Sequence, residues 1–274
     1  MNASTTAISG GAGRPADAIP WWQTIGKLAW HDLHARYAGA ALGLIWSVAQ
    51  PLVMALILWL VIGYGMRANR IGGVPCLVWI LPGMAARSFF AEALHTATLV
   101  LQEYAFLVKK VRFPIILLPP VKIFAALAIH LIFLALTMAV LLIQGVRPSW
   151  HWLLLPYYTI GMLVLLTGLA WMTASLHALA RDVGHMVNIL LQFGFWLTPV
   201  FWSPELIPNR TLAMLFRLNP MFYIVDGYRQ CLALKSAAGI DPPAATAFWV
   251  TAGLSVWAGL AVFRRLRSHF ADTL

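Results

Sequence analysis

The stretch Ile115–Ile143 reads IILLPPVKIFAALAIHLIFLALTMAVLLI, an apolar run whose charged residue is Lys122. As a helix, a run of this length exceeds the roughly 30 Å of a bilayer's hydrocarbon core. The rest of the chain follows the same pattern, because 61% of its 274 residues are hydrophobic and 10% are charged. So little polar surface does not solvate a globule of this size, and the sequence therefore predicts an integral membrane protein.

Apolar runs of the length that a crossing needs predict an all-α protein with about six transmembrane helices. Their limits are residues 44–62, 77–99, 115–143, 152–174, 186–202 and 244–263. We expect a disordered tail at 1–20, an amphipathic interface helix at 19–38 and a transmembrane domain at 39–274. Within that domain, the proline-rich segment 203–243 keeps short amphipathic stretches, which predicts re-entrant helices at the outer face.

The predicted helix at 19–38 places Ile25, Ala29 and Leu33 on one face and Lys27 and His31 on the other. This pattern is typical of a helix that lies in the membrane interface.

The net charge of +10 comes from basic residues at the ends of apolar runs, where lipid head groups lie, so membrane lipids rather than a nucleic acid are the expected partners. An even number of spans places both termini on one side. The cations on that side are Lys27, Arg36, Lys109, Lys110, Arg112, Arg181, Arg264, Arg265 and Arg267. By the positive-inside rule that side is cytoplasmic. The cations that count against this orientation are Arg67, Arg70 and Arg147 in short outer loops, and Arg210, Arg217, Arg229 and Lys235 between the fifth and sixth spans. Lys122 lies near enough to the cytoplasmic end of its span to snorkel to the head groups, and we expect it to be a structural residue.

Two predicted spans carry polar residues that lipid does not favour. Arg87 and Glu92 would each cost about 2.5 to 3.5 kcal/mol at the centre of an isolated helix, so they should face protein or water. Ser88 and Glu92 share a face with His95, whereas Arg87 points elsewhere and should reach another span, a second protomer or the substrate. A structural ion pair remains the alternative to a substrate contact.

In the fifth predicted span, Asn188 and Gln192 are followed by aromatic side chains at Phe195, Trp196 and Phe201. Amides bind hydroxyl groups and aromatic faces pack against pyranose rings, so the stripe suits a sugar pathway. Hydrogen bonding between helices and an interfacial aromatic belt are the alternatives.

Three stretches carry a resemblance to a known family. They are Arg36-Tyr37 with residues 42–46 (LGLIW) and Gln50-Pro51, then residues 107–114 (LVKKVRFP), and then Arg181-Asp182 with Gln192, Phe195, residues 198–200 (TPV) and Asn219-Pro220. Together they resemble the ABC-2 type permeases that export bacterial polysaccharides, and most closely the O-antigen branch. Capsule and teichoic-acid permeases are near relatives.

The resemblance implies a homodimer in the inner membrane that works with two ATPase subunits. The chain has no G-x-x-x-x-G-K-[ST] phosphate loop, so ATP and Mg²⁺ are expected on those subunits, and neither catalytic nor metal-binding residues are expected here. The implied substrate is an undecaprenyl-linked polysaccharide. Force should then enter through a cytoplasmic coupling segment, although its cations suit simple topogenesis as well. Its residues are Glu103, Tyr104, Phe106, Lys109, Lys110 and Arg112.

Lys27, His31 and Arg36 are the candidates for admitting the lipid pyrophosphate, with ordinary anchoring to anionic lipid as the alternative. Two other functions stay open. An ABC-2 exporter of a drug or small lipid has the same architecture. An enzyme acting on polyprenyl-linked sugars would need convergent carboxylates or histidines, and the 9 acidic residues are scattered singly.

Overall fold

A computed structural model describes residues 21–37, 43–67, 70–106, 114–203, 208–209, 211, 216–234 and 242–270. The helices are α1 (Trp21–Tyr37), α2 (Gly43–Trp59), α3 (Cys76–Glu103), α4 (Leu118–Ile143), α5 (Leu155–Leu179), α6 (Asp182–Leu197), α7 (Pro220–Arg229) and α8 (Pro242–Leu266). Turns of 3-10 helix at Ile115–Leu117, Trp150–Leu154 and Arg267–His269, and π-helical turns at Leu60–Gly65 and Gln230–Leu234, extend several of them. The expected helical class is confirmed.

Five helical stretches of the described chain are apolar and long enough to cross a membrane. They are Val48–Gly65, Cys76–Glu103, Ile115–Ile143, Trp150–Leu179 and Pro242–His269. The fifth predicted span corresponds to α6, which has 16 residues and is therefore about 24 Å long. This helix ends at Leu197, and Thr198 is extended in front of Pro199, because a residue that precedes proline is disfavoured in the helical conformation. The predicted span extended to residue 202 because it was based on hydropathy alone.

The central helix of the bundle is α3. In its most apolar stretch, 78% of the residues are buried, compared with 22% in the corresponding stretches of the spans that contain α2 and α8. It packs against α2, α4, α5, α6 and α7. On its far side, α5 meets α8 through small residues: a Cβ at Gly168 would lie 2.4 Å from backbone atoms of Ser255, and one at Gly259 would lie 2.0 Å from the Gly168 oxygen. Small residues of this kind let membrane helices approach each other closely.

A short β-hairpin, β1 (Arg70–Ile71) paired antiparallel with β2 (Val74–Pro75), connects α2 to α3. Its turn residues Gly72 and Gly73 have φ of +55° and +82°, as tight hairpins of this kind require. The all-helical prediction missed it, although a Gly-Gly pair between Ile71 and Val74 is a hairpin signal.

The predicted amphipathic pattern of α1 is confirmed for the residues whose side chains are described. Ile25, Ala29 and Leu33 are buried, whereas Lys27 and His31 are exposed. The buried face packs against the beginning of α4. The side chain of Arg36 and the predicted tail at 1–20 lie outside the described residues.

Within the predicted re-entrant segment 203–243, α7 begins at an Asn-Pro pair. Asn219 is the N-cap, its Oδ1 accepts a hydrogen bond from the Met221 amide at 3.0 Å, and Pro220 starts the helix. The same side chain donates from Nδ2 to the Thr198 hydroxyl at 3.0 Å. The cap therefore ties α7 to the loop that follows α6.

Candidate functional site

A cavity of about 950 Å³ lies among α2, α3, α4 and α6. Most of its wall is apolar, with polar side chains gathered on facing helices. These polar residues are Gln50, Arg87, Ser88, Glu92, His95, His130, Asn188 and Gln192. Seven of the eight residues that the sequence predicts for a channel line this one space, namely Arg87, Ser88, Glu92, Asn188, Gln192, Phe195 and Trp196.

The α3 wall of the cavity has an arginine that is bonded to a neighbouring helix. Arg87 is 7% exposed, and its Nη2 donates a hydrogen bond to the backbone oxygen of Leu191 in α6. This contact reaches a neighbouring helix, which is one of the destinations that the sequence left open. Next to it, the Ser88 hydroxyl donates to the Met84 carbonyl at 2.7 Å. The guanidinium therefore joins the two helices that carry most of the polar wall.

The α6 wall changes from polar to aromatic along its length, as its sequence predicts. Asn188 and Gln192 are exposed, and the rings of Phe195 and Trp196 follow them. Phe201 does not line the cavity. Instead, its ring centroid lies 5.6 Å from that of Phe195 and 5.2 Å from that of Trp196, so it supports the aromatic end from behind.

Sequence reasoning missed His130, which lies in the middle of the apolar run of α4. Its side chain is 3% exposed, Nε2 lies 3.0 Å from the Tyr228 hydroxyl, and the ring stacks on Phe89 with centroids 4.6 Å apart. The Tyr228 hydroxyl also lies 2.7 Å from that of Thr159. A histidine inside a 29-residue span was the available signal, since ionisable groups at membrane depth face protein or water.

At the other end of α3, an ion-pair cluster joins three helices. The Nζ of Lys122 in α4 lies 2.6 Å from Oδ1 of Asp32 in α1 and 2.5 Å from Oε2 of Glu103 in α3. The Tyr104 hydroxyl donates to the same Asp32 oxygen at 2.9 Å. Lys122 is 4% exposed. The prediction that it snorkels to head groups is therefore wrong, because two carboxylates satisfy its charge inside the protein.

Of the predicted coupling residues, Glu103 and Tyr104 belong to this ion-pair cluster, and the Phe106 side chain is exposed. Lys109, Lys110 and Arg112 lie outside the described residues. The cluster shows that the start of the predicted coupling segment is bonded to α1 and α4.

Another buried cation, Arg229, holds α7 in place. Arg229 is 1% exposed, donates from Nε to the Trp79 carbonyl at 3.2 Å, and places its guanidinium 4.2 Å from the centroid of the Trp79 ring. Its Nη2 also donates to the carbonyls of Pro199 and Val200, at 2.5 Å for the latter. Arg229 therefore joins α7 to α3 and to the loop after α6, and its charge lies inside the protein.

The described residues hold no group of three or more His, Cys, Asp or Glu side chains that suits a metal ion. What the cavity offers a ligand is hydrogen-bonding groups beside aromatic faces. This arrangement is suited to binding polar molecules.

Comparisons with known proteins point in one direction. A family model described as ABC-2 type transporter matches residues 26–233. The O-antigen export system permease protein RfbA of Myxococcus xanthus is 26% identical over 90% of this chain and 94% of that protein. Two proteins of the same name from Klebsiella pneumoniae are each 24% identical over 89% of the chain and 92% of their own length. The matched residues include all four helices that wall the cavity.

Proposed function

Since this chain belongs to the ABC-2 type transporter family, it is the membrane permease subunit of an ATP-driven transporter, and we propose that it exports a lipid-linked polysaccharide of the O-antigen class. The family implies an ATP-binding partner and a transport role in place of catalysis. Several apolar helices make the chain a multi-pass membrane protein. The similar proteins from Myxococcus xanthus and Klebsiella pneumoniae support the choice of substrate.

The observation that carries the proposal is the composition of the cavity wall. Amides at Gln50, Asn188 and Gln192 offer both donors and acceptors to sugar hydroxyls, and Phe195 and Trp196 offer flat apolar faces to pyranose rings. A small apolar substrate that displaced water from these amides would leave them without partners, which costs roughly 1 to 3 kcal/mol for each group that it buries. A hydroxyl-rich chain satisfies them.

We propose that two copies of the chain enclose the pathway. Gln50, Asn188 and Gln192 are exposed in the single chain, although they lie on helices at membrane depth. Lipid provides no hydrogen-bonding partners there, so such groups must face protein or water. If a second copy faces the open side of the cavity, the polar walls of both copies line one aqueous corridor and the apolar faces of α2 and α6 pack around it.

The ATPase partner is proposed to dock on the coupling segment that begins at Glu103. Glu103 and Tyr104 bind Lys122 and Asp32, so a force applied there reaches α1 and α4 directly. The exposed ring of Phe106 is a suitable anchor for a cytoplasmic subunit. ATP and Mg²⁺ would be held on that subunit, with Lys109, Lys110 and Arg112 as further contacts.

For topology, we propose an inner-membrane protein with both termini in the cytoplasm, α1 in the interface, α6 as a short sixth crossing and α7 as a re-entrant helix. Burial of Arg229 removes one cation from those that counted against this orientation.

Pyrophosphate loading is proposed near the junction of α1 and α2, where Arg36 lies, with Lys27 and His31 farther back on the exposed face of α1. Charge reversal at Arg36 should then impair loading, whereas normal export in that variant reduces the residue to an anchor.

The test of the pathway is obstruction. Asn188→Trp and Gln192→Trp should each reduce surface polysaccharide and cause undecaprenyl-linked glycan to accumulate inside the cell. The matched control is Leu254→Trp, an exposed position on α8 outside the cavity, which should export normally. Normal export in both cavity variants would place the pathway elsewhere. If deletion of the chain leaves surface polysaccharide unchanged, the substrate is a drug or small lipid instead.

A further inference from the structure

A second, smaller space lies on the outside of the bundle between α1 and α4. This groove has a volume of about 340 Å³, and its wall is apolar throughout. It is lined by Ile25, Gly26, Ala29, Trp30, Leu33, Phe124, Ala125 and Ala128. Small residues create it, since a Cβ placed on Gly26 would meet no atom within 4 Å.

The rims of the groove are aromatic and face outward. Trp30 is 65% exposed on α1, and Phe124 is 45% exposed on α4. Both lie near the beginning of α4, next to the ion-pair cluster that attaches α1 at Asp32. An apolar groove with this opening, at the depth of an interface helix, meets lipid chains rather than water.

The flank of α1 beside the groove is basic. Lys27, His31 and His34 are exposed there, and His34 contacts the rim directly: its Nδ1 donates to the Trp30 carbonyl at 3.0 Å and the two rings are 4.3 Å apart. That bond leaves Nε2 of the imidazole for a ligand. Asp32, the acidic residue of α1, points to the opposite flank, where Lys122 binds it. The rim therefore complements an anionic head group.

The groove and the transport cavity lie on opposite sides of α4. Phe124, Ala125 and Ala128 line the groove, whereas Ala126 and His130 line the cavity. A chain seated in the groove is thus separated from the pathway by the backbone of α4. This separation favours a resident lipid of the bilayer over the lipid carrier that is being transported.

We propose that the groove between α1 and α4 is a binding site for one acyl chain of an anionic phospholipid, whose phosphate is held by Lys27 and His34. The bound lipid completes the packing of α1 on α4 where side chains leave it unfilled. Arg36, the proposed loading residue for the carrier, lies nine positions beyond Lys27, or about 14 Å along the helix. The groove site shares Lys27 with that loading region but differs from it in its second phosphate contact, His34, and in the apolar groove that holds the chain, so it does not depend on what the transporter exports.

The experiment measures phosphatidylglycerol that stays bound to the full-length purified chain after delipidation, by native mass spectrometry. Gly26→Leu fills the groove and should abolish retention. The matched control is Gly253→Leu on α8, where a Cβ also meets nothing within 4 Å, and it should retain lipid as the unchanged protein does. Equal retention by the two variants overturns the proposal.

A second pair of variants tests the head group without filling the groove. Lys27→Gln with His34→Gln should lower the preference for phosphatidylglycerol over phosphatidylcholine by at least about fivefold, since each cation near the surface contributes to anion binding. Arg265→Gln, an exposed cation at the end of α8, should not change that preference. An unchanged preference in the double variant contradicts the assigned phosphate contacts. Displacement of phosphatidylglycerol by equimolar polyprenyl phosphate would identify the carrier as occupant and overturn the proposal as well.

Discussion

Replacing Lys122 with methionine should detach α1 from the bundle. The ammonium lies 2.6 Å from the Asp32 carboxylate and 2.5 Å from that of Glu103, and the lysine side chain is 4% exposed. Methionine has a similar length and no charge, so the substitution removes the two ion pairs while it keeps most of the packing. The Asp32 carboxylate would then stay in the interior and lose the ammonium of Lys122.

The magnitude follows from the burial of each carboxylate. The Asp32 side chain is 7% exposed, and removal of one partner from a buried pair costs roughly 3 to 5 kcal/mol. The Glu103 side chain is 45% exposed, so solvent screening limits its share to about 1 kcal/mol or less. Lys122→Met should therefore lower the free energy of unfolding by about 3 to 5 kcal/mol, or Tm by on the order of 10 °C.

The measurement is thermal unfolding of the purified chain in detergent, followed by tryptophan fluorescence. Lys122→Met combined with Asp32→Asn removes both charges of the buried pair and should recover most of the lost Tm. Glu103→Gln serves as the control and should shift Tm little. If the double variant is no more stable than Lys122→Met, or if Lys122→Met unfolds at the temperature of the unchanged protein, the ion pair does not hold α1 in place.

The other predictions use the same unfolding measurement. Arg229→Met should cost about 2 to 5 kcal/mol, because carbonyls at the ends of α3 and α6 lose their donor, whereas exposed Arg217→Met should stay within about 0.5 kcal/mol. Gly168→Ala should cost at least about 1 to 3 kcal/mol, since its Cβ meets α8 backbone at 2.4 Å, but Gly253→Ala should be neutral or stabilising; equal Tm values would refute the close α5–α8 contact. Tyr228→Phe should cost about 1 to 3 kcal/mol, because it leaves the buried imidazole of α4 without its partner, and an unchanged Tm would show that this bond contributes nothing.

Hydropathy predicted the membrane helices because lipid imposes one simple requirement, an apolar run of sufficient length. The limits of α4 with its leading turn, Ile115–Ile143, agree with the prediction residue by residue. The end of α6 differs from the predicted end of its span, because the apolar run continues past Thr198-Pro199 whereas the helix ends at Leu197. Local backbone constraints are invisible to a hydropathy average.

The polar face of the cavity could also be predicted from the sequence. Spacing alone placed Asn188 and Gln192 on one side of a helix, and Ser88 and Glu92 on one side of another. The partners of the buried cations could not be predicted in this way. Near the end of a span, a lysine that snorkels and a lysine that pairs have the same neighbours in sequence. The pairing of Lys122 depends on a carboxylate 90 residues away, which only the folded chain brings close.

The cavity wall and the ion-pair cluster both include residues of α3, so the two are mechanically connected through one helix. Glu92 and His95 stand in the cavity wall, and Glu103 stands at the end of the same α3 in the ion-pair cluster, about 16 Å farther from Glu92 along the axis. A continuous helix does not absorb an axial displacement, so a push on the proposed coupling segment would move the cavity wall. Because Lys122 binds Asp32 as well as Glu103, α1 and α4 must follow α3 or the ion pairs must break. Breaking the ion pairs would leave the buried ammonium of Lys122 unpaired. Concerted movement of the three helices therefore costs less than movement of α3 alone.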